Sequence, residues 1–181
     1  MTKHIARMVS GLLLATALVS PVGAAQQQPL NIGYSVPGLG FPFFAIMLDG
    51  AAAAAAEDGA LSILTLDGQD KDAVQLAGCE NALARGINGL VISPRTVDGL
   101  AGCFSAAQAA GVPVVTVDRR AAPGTPVLAH VGADNVLGGE AQGRWVMENY
   151  PKGATIINLQ GQPGASPAID RNKGLHNVLD K

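Results

Sequence analysis

The sequence predicts an α/β fold built on a parallel sheet, and two observations lead to this prediction. Apolar extended runs alternate with longer, small-residue helical runs along residues 30–118, giving three β-α repeats. The extended runs are apolar nearly throughout, which is typical of strands that helices bury on both faces. Each crossover between such strands is expected to be right-handed.

The individual elements follow in order along the chain. The first strand is LNIGYSV, and Pro42 suits the first turn of the helix after it, because its missing N–H would have no partner there. That helix contains six alanines and ends at Gly59, a residue that favours left-handed backbone. The later elements are the strand LSILTLD, the helix DAVQLAGCENALARG, the strand INGLVIS, the helix VDGLAGCFSAAQAAG, the strands VPVVTVD and VLAHVGAD, the helix NVLGGEAQGRWVMENY and the strand ATIINLQG.

Composition narrows the class of protein. The chain has 181 residues, of which 48% are hydrophobic and 14% charged, and its formal net charge is −2. These values are typical of a soluble globular protein. A nucleic-acid partner is not expected, because the sequence has no basic stripe that could neutralise phosphates. No cofactor motif is complete, so no cofactor and no metal are expected.

The first 25 residues are predicted to be a signal peptide. Lys3, His4 and Arg7 give a basic start, and an apolar run of about a dozen residues follows. Either Val22 and Ala24 or Gly23 and Ala25 fit the small-residue rule for cleavage. The apolar run is too short to span a bilayer, for which roughly 20 residues are needed. We therefore expect an exported, soluble protein of the periplasm.

In a parallel α/β sheet the ligand lies at the carboxyl ends of the strands. Polar or aromatic groups follow each of the first four predicted strands, at Phe41–Phe44, Asp67–Gln69, Ser93–Arg95 and Asp118–Arg120.

The glycine-containing loop after the first strand matches a dinucleotide-binding turn only in part. Gly38 and Gly40 would need a third glycine at position 43, where the chain has Phe43, and Pro42 removes a backbone donor. Only Asp67 matches the acid expected after the second strand. Aromatic rings here could instead stack on a sugar, or they could pack the start of the helix into the core.

Asp118 and Arg119 are suited to binding a sugar. A carboxylate can accept hydrogen bonds from two hydroxyls, and a guanidinium can donate to two others in a fixed fork. The alternative is a surface ion pair at the end of a strand. The predicted proximity of aromatic rings and Ser93 favours the sugar site.

Five motifs, taken together with the predicted signal peptide, resemble a known family. They are GFPFF, ARGINGLVISP, AAGVPVVTVDR, GADNVLGGEAQG and INLQGQPGASPAIDRNKG. In this order they resemble ribose-binding-type, type I periplasmic substrate-binding proteins of sugar ABC transporters. The resemblance implies a three-layer α/β lobe over residues 26–133 and only the start of a second lobe over residues 134–181.

The resemblance also implies a site. Its aromatic pair falls on Phe43 and Phe44, its sugar-clamping pair on Asp118 and Arg119, and its second-lobe arginine on Arg171. Two asparagines of the family are replaced here, by Phe41 and Ser93. Because a ribose site keeps both asparagines, the resemblance implies a hexose, a deoxy sugar or a polyol.

The expected function is capture of a monosaccharide or polyol for an ABC permease, without catalysis, by a protein that is monomeric when complete. Two alternatives are an exported sugar-active enzyme and a sugar-sensing protein on the same fold. The motif GASPA lacks the second glycine of a nucleophile elbow. A sugar-sensing protein of this fold that acts as a repressor would need a DNA-binding helix-turn-helix before the sensing domain, where the signal peptide is predicted here.

Two further expectations concern the cysteines and the second lobe. Cys79 and Cys103 lie on apolar faces of neighbouring predicted helices, and in an oxidising compartment we expect them to pair rather than remain buried thiols. Residues after 134 are too few to close a second core. The chain is therefore expected to have low stability or to aggregate, without closing over a ligand.

Overall fold

A computed structural model describes residues 29–181, in which a five-stranded parallel sheet carries helices on both faces. The predicted signal peptide, residues 1–25, lies outside the described residues. The predicted α/β fold with a parallel sheet is confirmed. The elements are β1 (Leu30–Val36), α1 (Pro42–Asp58), β2 (Leu61–Asp67), α2 (Asp72–Ala84), β3 (Gly89–Ile92), α3 (Ala101–Ala109), β4 (Val114–Val117), β5 (Ala129–Val131), α4 (Asn135–Asn149) and α5 (Ser166–Leu179).

The strand order is β2-β1-β3-β4-β5, and every neighbouring pair is parallel. The register brings the carboxyl ends of the strands to one edge. Val36 of β1 lies opposite Asp67 of β2, and Val117 of β4 lies opposite Val131 of β5. The loops that leave these ends therefore share one side of the sheet.

Each face of the sheet has its own apolar core. Tyr34 and Val36 of β1 pack with Phe44 of α1 on one face. Leu90 of β3 packs with Phe104 of α3 on the other face, in a larger cluster to which α2 also contributes. Neighbouring residues of a strand point to opposite faces, so strands buried on both sides are apolar at nearly every position.

The helix boundaries follow the predicted signals. Pro42 occupies the first turn of α1, and Gly59 ends the helix with a φ of +70°. Asp134 caps α4, since its carboxylate accepts a hydrogen bond from the Leu137 N–H at 3.0 Å. No helix within residues 29–181 combines the length and apolar character needed to cross a membrane.

The predicted strand ATIINLQG is wrong. Residues 154–160 are exposed and form neither strand nor helix. The side chains of Ile157 and Leu159 are 88% and 90% exposed. A strand is stable only when its backbone groups pair with a neighbouring strand. The sheet of the described residues ends at β5, so this segment has no strand beside it.

Glycines bring α4 and α5 into close contact. A β-carbon added to Gly139 would meet the Arg171 carbonyl, and one added to Gly143 would lie 2.8 Å from the Val178 Cβ. A β-carbon added to Gly174 would meet the Val136 carbonyl. Glycine inside a helix costs about 1 kcal/mol relative to alanine, and here its small size permits the close packing of the pair.

Cys79 of α2 and Cys103 of α3 form a disulfide, with their Cα atoms 5.8 Å apart. Both residues are fully buried in the apolar cluster beneath the two helices. The strand order explains the contact. The crossovers from β2 to β3 and from β3 to β4 run in the same direction across the sheet, so α2 and α3 lie side by side on one face.

Replacing both cysteines by alanine should lower the free energy of unfolding by about 3 kcal/mol, because the disulfide closes a loop of 24 residues. Urea denaturation of the oxidised parent and the double variant would measure the difference. Mass spectrometry that finds both thiols free in protein purified from an oxidising compartment would contradict the disulfide.

Candidate ligand-binding site

Asp118 occupies a strained turn at the carboxyl end of β4. Its φ is +59°, and the Arg119 N–H donates to the Val117 carbonyl at 2.6 Å, which closes a three-residue γ-turn around Asp118. The Ser93 hydroxyl donates to Asp118 Oδ2 at 3.3 Å. A positive φ is uncommon outside glycine, and strained backbone of this kind concentrates at functional sites.

The Arg119 guanidinium lies over the Phe44 ring, with its central carbon 5.2 Å from the ring centroid. Nη1 donates to the Arg95 carbonyl at 2.8 Å and to Gln162 Oε1 at 3.0 Å, while Nε is 3.9 Å from Asp118 Oδ2. Burial lowers the pKa of Arg119, and the Asp118 carboxylate opposes that shift. Within the described residues, Nη2 has no hydrogen-bond partner.

The three phenylalanines have different roles. Phe44 is only 4% exposed and packs in the core, with Phe43 and Phe41 against it in edge-on geometry at centroid distances of 5.3 and 6.1 Å. Phe41 and Phe43 are exposed, at 41% and 55%. The buried Phe44 ring therefore supports Arg119, whereas the exposed rings are the aromatic surface that a ligand can reach.

A buried amide organises the neighbouring strand ends. Gln75 of α2 is 1% exposed, and its Nε2 donates to Ser35 Oγ at 3.1 Å and to the Ser93 carbonyl at 2.9 Å. Its Oε1 accepts from the Arg95 N–H at 2.8 Å. These bonds join α2 to the ends of β1 and β3, and so hold the backbone that carries Ser93.

The glycine loop after β1 is closed by a carboxylate. Asp67 Oδ1 accepts from the Leu39 N–H at 3.1 Å and from the Gln69 N–H at 2.9 Å. Asp67 therefore fixes the conformation of the loop after β1. A shallow pocket beside this loop is lined by Gly38, Gly40, Phe41, Asp67, Gln69 and Asp70.

The segment around the start of α5 contacts the loops after β3 and β4. Asp170 forms a bidentate pair with Arg120, at 2.6 and 2.9 Å, and the hydrogen bond raises the pKa of Arg120. Ser166 Oγ accepts from the Arg120 N–H at 2.9 Å. Arg171 is exposed, and none of the contacts that join α5 to these loops within the described residues involves its side chain.

The structure thus brings together Phe44, Ser93, Asp118 and Arg119. Phe41 and Phe43 lie against Phe44. Within the described residues, the Arg171 side chain forms no hydrogen bond or ion pair with any of them. Sequence reasoning missed three side chains of the site, namely Gln75, Asp70 and Gln162. Gln75 was detectable in principle, since it shares a helical stripe with Cys79 and Ala82, both fully buried. Asp70 and Gln162 are 92 residues apart, and their contact has no local signal.

This arrangement offers hydrogen-bond acceptors on Asp118, free donors on Arg119 and exposed aromatic faces. That combination is complementary to a ring that carries hydroxyls on its edge and C–H groups on its faces. No group of three or more histidine, cysteine or carboxylate residues suited to a metal ion occurs within residues 29–181.

Comparison with known proteins identifies the class. The family model described as "Periplasmic binding protein domain" matches residues 32–181, so the chain belongs to this family. Among curated relatives, the ribose import binding protein RbsB of Escherichia coli is 34% identical over 177 residues, which are 98% of this chain and 58% of the relative. RbsB of Bacillus subtilis is 34% identical over 161 residues, or 89% of this chain and 52% of the relative.

Solved structures with a similar fold include proteins that bind sugars and polyols. A Caulobacter myo-inositol binding protein, bound to myo-inositol, has a TM-score of 0.78 and 34% identity, and the match covers 83% of this chain and 51% of that protein. A galactofuranose binding protein has a TM-score of 0.77 and 29% identity, covering 84% and 52%. The chain spans about half the length of these relatives.

Replacing Gln75 by leucine should lower the free energy of unfolding by about 2 to 4 kcal/mol, because two buried polar groups, on Ser35 and Ser93, and the partly buried Arg95 N–H would lose their partner. Chemical denaturation would measure the loss. Gln108→Leu is a matched control, since Gln108 is exposed on α3, and its effect should stay within about 0.5 kcal/mol. Equal stability of the two variants would contradict the role of Gln75.

Proposed function

We propose that this protein is the substrate-binding component of a sugar ABC importer and captures a monosaccharide or related polyol in the periplasm. The ligand lies at the carboxyl edge of the sheet, between the loops after β1, β3 and β4. It is then delivered to a membrane permease, and the protein acts by binding without catalysis.

The observation that carries this proposal is the pairing of Asp118 and Arg119 beside aromatic rings. Asp118 is held in a strained turn that directs its carboxylate into the site, and Arg119 has one Nη group engaged by protein acceptors and the other free. A hydroxylated ring uses both kinds of group at once. Polar side chains that are already oriented lower the entropic cost of binding.

The names of the relatives support a sugar or polyol, since they include ribose, galactofuranose and myo-inositol binding proteins. We extend this ligand class to the present chain as a proposal. Exposed Phe41 adds an aromatic surface beside Phe43, and this favours a hexose, a deoxy sugar or a polyol over ribose. Arg171 is proposed to contact the ligand from the second lobe.

The proposed organisation of the chain has three parts. Residues 1–25 are a cleaved signal peptide, residues 26–133 form the first lobe, and residues 134–181 begin the second lobe. The sheet ends at β5, and α4 and α5 pack chiefly on each other, which supports a boundary near residue 133.

A thermal-shift screen against pentoses, hexoses, deoxy sugars and cyclic polyols tests the proposed function. It uses purified protein carried to the full length of the relatives, of which this chain spans about half. A true ligand at about a hundred times its Kd should stabilise the fold by about 2.7 kcal/mol, because it binds only the native state. Phosphorylated sugars and amino acids serve as controls. If no neutral sugar or polyol shifts the melting temperature, the proposal is wrong.

Asp118→Ala and Arg119→Ala should each weaken binding of the identified sugar about a hundredfold or more, because sugar hydroxyls would be buried without partners. Asp118→Asn tests the charge alone, since asparagine also tolerates a positive φ. Phe43→Ala should cost less, because stacking is only part of the binding energy. Isothermal titration calorimetry measures the affinities.

Asp49→Asn and Arg85→Ala are matched controls, because Asp49 is exposed on α1 and Arg85 is exposed in the turn after α2, both away from the carboxyl ends of the strands. Circular dichroism should confirm that every variant remains folded. Affinities of the Asp118 and Arg119 variants close to that of the parent would mean that the pair is only a surface ion pair.

A further inference from the structure

We propose that Gln162 is a positioning residue that orients the Arg119 guanidinium for ligand binding and couples it to Asp70. This inference rests on the proposed sugar-binding function. It assigns a role in affinity to the segment between α4 and α5, far in sequence from the loops that contain Arg119 and Asp70.

The Gln162 amide is hydrogen-bonded at both ends. Its Oε1 accepts from Arg119 Nη1 at 3.0 Å, and its Nε2 donates to Asp70 Oδ1 at 3.2 Å. A guanidinium only donates and a carboxylate only accepts, so the two neighbours fix which end of the amide faces which group. The amide is therefore held in one orientation, with its oxygen toward Arg119.

A second cation stabilises the carboxylate end of this chain of bonds. Arg95 Nε donates to Asp70 Oδ1 at 2.8 Å, and the Arg95 carbonyl accepts from Arg119 Nη1 at 2.8 Å. Arg95 thus contacts both Asp70 and Arg119, the two residues that Gln162 joins. The cluster of Asp70, Arg95, Arg119 and Gln162 joins the loops after β2, β3 and β4 to the segment before α5.

The backbone around Gln162 is also held in place. The Val97 N–H donates to the Gly164 carbonyl at 2.9 Å, and a β-carbon on Gly164 would lie 3.0 Å from Thr96 Cγ2. Gly164 has a φ of +78°, which suits glycine and permits this close approach. The side chain of Gln162 therefore extends from a fixed point, and its bond to Arg119 is not that of a freely moving loop.

The contacts of Arg119 leave its Nη2 group available to a ligand. Gln162 and the Arg95 carbonyl both engage Nη1, and the Phe44 ring lies under the guanidinium plane. These contacts leave Nη2 to donate to a ligand in a fixed direction. A guanidinium that is oriented before binding loses less conformational freedom when the ligand arrives.

The test compares Gln162→Leu with Gln160→Leu in the purified protein, using calorimetric titration with the best sugar or polyol of the screen. Leucine has a volume similar to glutamine and no hydrogen-bonding group. Gln162→Leu should weaken binding about tenfold or more. Gln160 is exposed in the same segment, so Gln160→Leu should bind as the parent does.

Two further variants separate positioning from a merely structural bridge. In an Asp70→Asn background, Gln162→Glu keeps an acceptor toward Arg119 without placing two carboxylates against each other. This double variant should bind more tightly than Asp70→Asn combined with Gln162→Leu. In an Arg119→Lys background, Gln162→Leu should have little further effect, because the amide acts through the guanidinium; a structural bridge would give additive losses.

Three outcomes would overturn the inference: Gln162→Leu binds within about twofold of the parent, Gln162→Glu shows no recovery over Gln162→Leu in the Asp70→Asn background, or the losses with Arg119→Lys are additive. A parent protein that binds no sugar or polyol would instead overturn the proposed function, and the inference with it. The two failures are thus distinguishable.

Discussion

The buried amide of Gln75 is the interaction on which the geometry of the site depends. It is the one fully buried side chain of α2 that bonds to the ends of both β1 and β3 within residues 29–181. Its bond to the Arg95 N–H also sets the direction of the loop after β3. Because a buried polar group without a partner is costly, this amide restricts the loop to a conformation in which Ser93 faces Asp118.

A second layer of the site is built on Phe44. The ring belongs to the apolar core of α1 and at the same time supports the Arg119 guanidinium. The partly buried cation is stabilised by the ring face, by two oxygen acceptors and by the nearby Asp118 carboxylate. Core packing and the orientation of a ligand-binding group therefore depend on the same side chain.

The contacts of the segment before α5 extend this arrangement beyond the sheet. The polar contacts of this segment and of the first turns of α5 converge on the loops after β2, β3 and β4, through Gln162, Gly164, Ser166 and Asp170. The preceding residues 154–160 are exposed and include the apolar side chains of Ile156, Ile157 and Leu159. The polar contacts with these loops and the apolar stretch thus occupy adjacent but separate parts of the same connection.

The sequence by itself determined the α/β class, the order of the elements from β1 to α4, the cap at Gly59, and the strand ends that carry Ser93, Asp118 and Arg119. These features depend on local periodicity and backbone preference, which neighbouring residues express directly. Only the tertiary structure decided that Phe44 is buried while Phe41 is exposed, that residues 154–160 form no strand, and that Gln162 meets Arg119. Each of these outcomes depends on which distant groups are available as partners, and no local pattern contains that information.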